Sequence, residues 1–388
     1  MSMVTKQRVR LRELDRWLLV AVVAILVVGT LLVWSATSGA ERQTPGGATA
    51  YVQRHVLNIV IGLLLGAGVV VTDHRWVRIL APVFYLASLV GLLLVLVAGT
   101  TINGSRSWLV LGGMSLQPAE LAKLAVVLGL AVVLAERTER RAAVGTAEVL
   151  WMLGFAGVPA LLILAQPDLG TMLVLSATVI GILAVAGVPR RWLAALVGSG
   201  LALSALMAVA GVLKEYQVDR FLAFTDPSLD PRGAGYNTTQ ARIAIGNGGL
   251  FGEGLFHGSQ TQSGFVPEQH TDFVFTVAGE ELGLVGAGLL IALFGLLLWR
   301  ATLISRRSTD MFGRVAAAGV ACWFGFQTFQ NIGMCLGIMP VTGVPLPLVS
   351  YGGSSMFASL MAVGLLLNIA LRTRRAARPS YEPVPALA

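Results

Sequence analysis

Apolar residues in this chain fall in long unbroken blocks, not in the strict alternation of half-buried strands. Ten blocks reach the length a helix needs to cross a hydrocarbon core ~30 Å thick, roughly 20 residues. They are 17–35, 56–72, 77–98, 118–135, 149–165, 169–187, 192–213, 273–299, 312–336 and 350–371. Pro189-Arg190-Arg191 divides the sixth from the seventh. Short polar stretches separate the rest, apart from one long segment, 214–272. The pattern predicts an all-α integral membrane protein of about ten transmembrane helices, with a long extracytoplasmic loop between spans seven and eight. The first block is too long for a signal peptide and no small-residue cleavage site follows it, so it counts as a span. The expected organisation is a cytoplasmic N-terminus (1–16), one polytopic membrane domain (17–371, with the outer loop 214–272), and a cytoplasmic tail (372–388).

Composition narrows the class. Of 388 residues, 55% are hydrophobic and 12% charged, and the mean hydropathy is +0.77. Soluble domains carry about 25% charged residues. A soluble enzyme, a disordered chain and a disulfide-stapled domain are all excluded. The net charge of +8 suggests a nucleic-acid binder until the charges are placed. The N-terminus, alternate loops and the tail hold 20 of the 28 Lys and Arg residues, on one side of the predicted membrane. That is the positive-inside pattern. It puts both termini in the cytoplasm and 214–272 outside, and gives no sign of nucleic acid. Cys322 and Cys335 share one span, 13 residues apart, and read as buried thiols. His55, His74, His257 and His270 lack metal-ligand spacing.

The informative residues are the polar ones kept at the outer face, because polar groups in a bilayer are costly. The loop before span four contains Arg106 and Trp108, then Gln117-Pro118-Ala119-Glu120 and Lys123. Pro118 suits the first helical position, and Glu120 falls in the first turn, where the helix dipole favours an acid. Lys123 is three residues on, within ion-pair reach. Either this is helix-end chemistry, or the pair faces a cavity. Gln166-Pro167-Asp168 opens span six in the same way, and Asp168 is either a cap or a ligand. Two such helix starts on one face suggest positive helix ends directed at a shared cavity.

The long outer segment is rich in glycine, which implies tight turns and close backbone approach. Residues 238–246 suit a short amphipathic helix presenting Gln240 and Arg242. His270 and Asp272 follow at the start of span eight. Asp272 is either a helix cap or a general base, and a base needs a substrate proton within hydrogen-bond reach. Glu280 and Glu281 lie ~12 Å deeper at 1.5 Å per residue, so 272–281 is expected to line a wet cavity. The last outer loop, Met339 to Ser355, includes Ser350, has no charge, and reads as an irregular segment packed inside protein.

Several pieces in order resemble the SEDS family (shape, elongation, division and sporulation; the FtsW/RodA/SpoVE proteins) of cell-wall polymerases. They are Asn103-Gly104 with Trp108, Gln117-Pro118-Ala119-Glu120-Leu121-Ala122-Lys123, Gln166-Pro167-Asp168-Leu169-Gly170-Thr171, the run from Gln240 to Gly249, the run from Pro267 to Phe273, Gly279-Glu280-Glu281-Leu282-Gly283, and the run from Pro345 to Ser354. The stretch 240–275 is more similar to the elongation (RodA) type than to the division (FtsW) type. Two positions depart from the family pattern, Ser107 before Trp108 and Glu253 between Gly252 and Gly254.

The resemblance implies a peptidoglycan glycosyltransferase that polymerises lipid II at the outer face of the bacterial cytoplasmic membrane, for cell elongation and shape. It implies a class B penicillin-binding protein (transpeptidase) as partner. It places the essential aspartate on Asp272, and substrate contacts among Arg106, Trp108, Gln117, Glu120, Lys123, Asp168, Gln240, Arg242, His270, Glu280 and Ser350. Arg106, Lys123 and Arg242 are the candidates for the polyprenyl pyrophosphate. A divalent cation, Mg or Mn, is compatible with sharing that charge. No protein-held metal site and no organic cofactor is expected. The competing readings are a lipid-linked precursor flippase, which predicts polar groups at the bilayer midplane, and a non-catalytic scaffold for the penicillin-binding protein.

Overall fold

The computed structural model describes residues 13–39, 47–102, 105–111, 114–138, 144–211, 218, 220, 223–230 and 233–376. The basic residues Lys6, Arg8, Arg10, Arg12, Arg42, Arg140, Arg141, Lys214, Arg232 and Arg378, the motif residues Asn103 and Gly104, and the tail from 377 lie outside them.

Each predicted span is a helix: α1 (Arg16–Ser38), α2 (Gly47–Val71), α3 (His74–Ala98), α4 (Pro118–Thr138), α5 (Thr146–Ala165), α6 (Leu169–Val185), α7 (Arg190–Val209), α10 (Val274–Arg307), α11 (Met311–Leu336) and α12 (Gly353–Ala376). Two shorter helices, α8 (Ala234–Asn247) and α9 (Ser259–Ser263), lie in the long segment before α10. By length and composition, α1 to α5, α10 and α12 are able to cross a membrane. α6 is apolar but has 17 residues. α11 buries Gln327, Gln330 and Asn331, which dilute its apolar character. α2 begins nine residues before the predicted start, because its polar first turns are helical too.

The loop between α3 and α4 is a small antiparallel sheet in the order β1 (Thr100–Ile102), β2 (Ser105–Leu111), β3 (Met114–Leu116). The sequence pattern predicts only a loop there. Asn103-Gly104 and Gly112-Gly113 separate the strands in the sequence, and both dipeptides favour two-residue hairpin turns.

α12 is the central helix, with nearly all of its length buried. It packs backbone to backbone on α2: a Cβ at Gly364 would overlap the Gly66 carbonyl. Asn368 seals the far end of this contact, its Nδ2 donating to the carbonyls of Val69, Val70 and Thr72 at 2.8, 3.1 and 2.8 Å. Such close approach is how helices associate where lipid removes the hydrophobic driving force. At the same end, Arg300 of α10 donates to the buried Asp15 that caps α1.

α10 is a broken helix. Gly283 leaves helical geometry (φ 66°, ψ −168°), a left-handed φ that glycine tolerates at no steric cost. The chain 248–254 fills the break, with Glu253 N and Gly254 N donating to the Glu280 and Glu281 carbonyls at 2.9 and 3.0 Å. Leu284 N and Val285 N return the pairing to Gly249 O and Leu250 O. The upper half-helix, just after Asp272, is thereby fastened to the long segment. The segment 339–352 is irregular, with Val344, Leu346, Leu348, Val349 and Ser350 buried, as its composition predicts.

Candidate active site

A cavity of about 210 Å³ opens at the end of the bundle that carries the sheet. Its wall includes Ser107 and Trp108 of β2, Gln117 before α4, Asp168 before α6, Glu268, Thr271 and Asp272 before α10, and Thr342, Gly343, Tyr351, Ser354 and Ser355 after α11. Arg220 also lines it. Four of the twelve predicted site residues therefore meet here: Trp108, Gln117, Asp168 and Asp272.

The two Gln-Pro-acid helix starts converge as expected. Asp168 caps α6, its Oδ1 accepting from Thr171 N and its Oδ2 from Thr171 Oγ1, both at 2.9 Å. Gln117 Nε2 adds a bond to Asp168 Oδ2 at 3.1 Å, and Gln117 N donates to Ser354 Oγ at 2.8 Å. Asp168 is thus both a cap and a cavity residue. Burial holds its carboxyl above the usual carboxylate range, against the Thr171 bonds, which lower it.

Asp272 caps nothing. The cap position of α10 is Phe273, which makes no side-chain cap bond. No described residue donates a hydrogen bond to the Asp272 carboxylate, while its backbone is held firmly. Asp272 N donates to Glu268 O at 3.1 Å, and Asn331 Nδ2 donates to Asp272 O at 2.7 Å. Ser350 Oγ donates to the neighbouring Thr271 carbonyl, and Tyr351 N donates to His270 O at 2.9 Å. Ser350 and His270 therefore position this corner without lining the cavity. The His270 ring packs on Tyr51 and Tyr351, with centroids 5.1 and 5.6 Å away, and burial lowers its basicity. Burial, reinforced by the Glu268 charge and opposed by Arg220, pushes the Asp272 carboxyl from 3.8 up to about 7.

The remaining predicted residues stand elsewhere. Glu120 and Lys123 are buried inside the bundle, with Lys123 Nζ 2.6 Å from Glu120 Oε1 and 2.7 Å from Gln327 Oε1. Gln327 also accepts from Trp323 Nε1 and donates to Pro345 O, which ties the pair to the 339–352 segment. Arg106 turns away from the cavity, donating to the Gly99 and Val97 carbonyls at 2.9 and 2.8 Å. Gln240 and Arg242 lie on α8, which does not reach the cavity, and Arg242 is exposed.

Glu280 lines no wet wall. It is fully buried and accepts from Gln260 N, Thr261 N, Thr261 Oγ1 and Ser259 Oγ at 2.7, 2.9, 2.6 and 3.3 Å. It anchors α9 to α10. Glu281 is likewise buried and accepts from Ser35 Oγ at 2.6 Å. The reason for the difference is the break at Gly283, which lets the long segment fold down onto both acids.

Arg220, Glu268, Thr342, Tyr351, Ser354 and Ser355 join the cavity without a specific role expected from the sequence. The signal for the last four was the concentration of hydroxyls in an uncharged outer loop. Among the described residues, no three His, Cys, Asp or Glu side chains converge to hold a metal ion.

Residues 16–375 match the family described as cell cycle protein, FtsW/RodA/SpoVE. The peptidoglycan glycosyltransferase MrdB of Escherichia coli K12 is 37% identical over 360 residues, 92% of this chain and 93% of that one. FtsW proteins of several bacteria match at comparable identity. A solved chain from a peptidoglycan synthase complex, described as coordinating polymerization and crosslinking, superposes with a TM-score of 0.75 at 37% identity, covering 93% of this chain and 98% of that one. The Rod shape determining protein RodA of Thermus thermophilus superposes at 0.67 with 33% identity, covering 94% and 98%. The chain belongs to the FtsW/RodA/SpoVE family.

Proposed function

We propose that the cavity around Asp272 joins lipid-linked disaccharides into glycan strands, with Asp272 as general base. The chain is a multi-pass membrane peptidoglycan glycosyltransferase of the elongation type, and its substrate is lipid II. The observation that carries the residue assignment is an aspartate whose carboxylate takes no hydrogen bond from any described residue, recessed in a hydroxyl-lined cavity and pushed up to about 7. A base with that affinity for protons is matched to work near neutral pH.

In the reaction, Asp272 takes the proton of the acceptor sugar hydroxyl. The oxygen forms a bond to the anomeric carbon of the donor, and the bond from that carbon to the pyrophosphate breaks. The polyprenyl pyrophosphate leaves with the electron pair. One base and one displacement give inversion at the anomeric carbon. Asp168, Glu268 and Asp272 make one wall acidic. Arg220 is the basic residue among the described lining residues, and its guanidinium can take two phosphate oxygens of the pyrophosphate. Arg106, Lys123 and Arg242, the candidates from the sequence, do not line this cavity. Among the described residues no side chains form a cage for a divalent cation, and no step here passes through one.

The sheet end of the bundle faces outward across the bacterial cytoplasmic membrane, both termini face the cytoplasm, and a class B penicillin-binding protein crosslinks the product. The charge pattern of the loops supports the orientation, and the synthase-complex relative supports the partner. The test is Asp272→Ala in the purified chain with its partner and lipid II. We expect loss of glycan polymerisation in a variant that unfolds at or above the parent's temperature, because the buried charge is gone. Full activity in that variant would sink the assignment of Asp272 as the base.

A further inference from the structure

A second cavity, of about 710 Å³, lies apart from Asp272. It is a groove between α1 and α2, floored by α12 and lined by residues such as Leu26, Val27, Ile59, Leu63, Val363 and Leu367. The lining is aliphatic. The one hydroxyl in it, Thr30, is already donated to Leu26 O at 2.7 Å. Water gains nothing there, because an apolar cavity offers it no partners. Val27 and Leu63 are half-exposed along the rim, so the groove opens sideways toward lipid.

One end of the groove reaches Leu14 and Val71. Arg374 donates from Nη1 to Leu14 O at 3.1 Å, and Arg372 donates from Nη2 to Thr72 O at 3.4 Å. A guanidinium is therefore tied to each wall of the mouth. Arg16 and Arg75, which closely follow Leu14 and Thr72 in the chain, are exposed. Among the described acids here, Asp15 pairs with Arg300 and Arg374, Asp73 with Arg372, and Glu13 with Arg375, while Asp310 adds a fourth charge near Arg372, so the six arginines outnumber the four acids. The mouth carries a net positive charge.

An aliphatic slot ending at a basic mouth fits an apolar chain that carries an anionic head group. We propose that this groove is a binding site for an anionic phospholipid, with an acyl chain between α1 and α2 and the phosphate at the arginine mouth. The site stands apart from the polymerase reading and holds whether or not Asp272 is the base. Arginines near an anionic lipid surface contribute enough for roughly fivefold in affinity each.

The test is native mass spectrometry of the full chain in detergent, titrated with phosphatidylglycerol and with phosphatidylcholine of the same chains. We expect one saturable site that takes phosphatidylglycerol at least tenfold more tightly. Arg16→Gln with Arg75→Gln should bring it close to the phosphatidylcholine level. Leu63→Trp and, separately, Val27→Trp should fill the groove and remove the site, with thermal unfolding confirming that each variant is folded. Equal affinity for the two lipids, or unchanged binding in the arginine and tryptophan variants alike, would overturn the proposal. So would displacement of phosphatidylglycerol by an equimolar polyprenyl phosphate, which would assign the groove to the substrate chain.

Discussion

Gln117 Nε2 donates to Asp168 Oδ2 at 3.1 Å, joining the residue before α4 to the cap of α6 across one wall of the cavity. The same Oδ2 also accepts from Thr171 Oγ1. Asp168→Asn keeps an acceptor for Thr171 N but turns an amide toward two donors. Its cost should be about 1–2 kcal/mol, in the range of a lost helix cap. Gln117→Ala removes one bond and should cost about 1 kcal/mol. Thermal unfolding in detergent checks both. Lipid II polymerisation should fall further in Asp168→Asn than in Gln117→Ala, because only the former also alters the charge of the wall.

Asp272 sets a pH signature of its own. Its carboxyl is pushed from 3.8 up to about 7, first by burial and then by the Glu268 charge. The folded chain holds a proton there that the unfolded chain releases above about pH 4. The associated stability is complete below pH 4 and is lost as pH rises through about 7. At about 1.4 kcal/mol per pH unit, the ceiling is about 4 kcal/mol above pH 8, and water in the cavity reduces it. Asp272→Asn should thus unfold at a higher temperature than the parent at pH 8, with the gap closing toward pH 4. Polymerisation by the parent should rise as pH passes about 7, when the base ionises. A rate that is flat from pH 5.5 to 8.5 would contradict this.

Glu120 and Lys123 are the most buried ion pair described, with side chains 2% and 0% exposed. Removing one partner strands the other charge. Lys123→Ala should cost about 3–5 kcal/mol. Glu120→Gln with Lys123→Met should recover most of that. Because the pair lies behind the cavity wall, turnover per folded molecule should survive in the double variant. Loss of turnover at unchanged stability would instead place the pair in contact with substrate.

The long apolar blocks made the ten helices legible, because a helix in lipid must satisfy its own backbone and declares itself by length alone. Asp272 and Asp168 were legible for the same reason, as acids placed at helix starts where lipid would not tolerate them. Arg106, Gln240 and Arg242 were not. Whether a long side chain reaches a cavity depends on how its loop folds back, and Arg106 spends its donors on the end of α3. Glu280 shows the limit most clearly. Its distance along α10 was right, yet its role depended on a break at Gly283 that the apolar pattern runs straight through.

That break supports the last prediction. Glu280 takes its hydrogen bonds from donors only, two of them backbone amides at the first residues of α9. Glu280→Gln puts an amide nitrogen among those donors, so at least one amide is left buried and unpaired, at about 1–3 kcal/mol. The loss should be local. Hydrogen exchange at 258–263 should accelerate while α12 stays protected. Polymerisation should drop because Gln269, which donates to the Thr261 carbonyl at 2.9 Å, carries the same corner toward Asp272. Gly283→Ala tests the other half of the joint. Its Cβ would overlap Gly252 N at a left-handed φ, so the long segment cannot seat and the whole protein should lose stability. If Glu280→Gln instead unfolds the chain globally, or leaves exchange at 258–263 unchanged, Glu280 is not the anchor of α9.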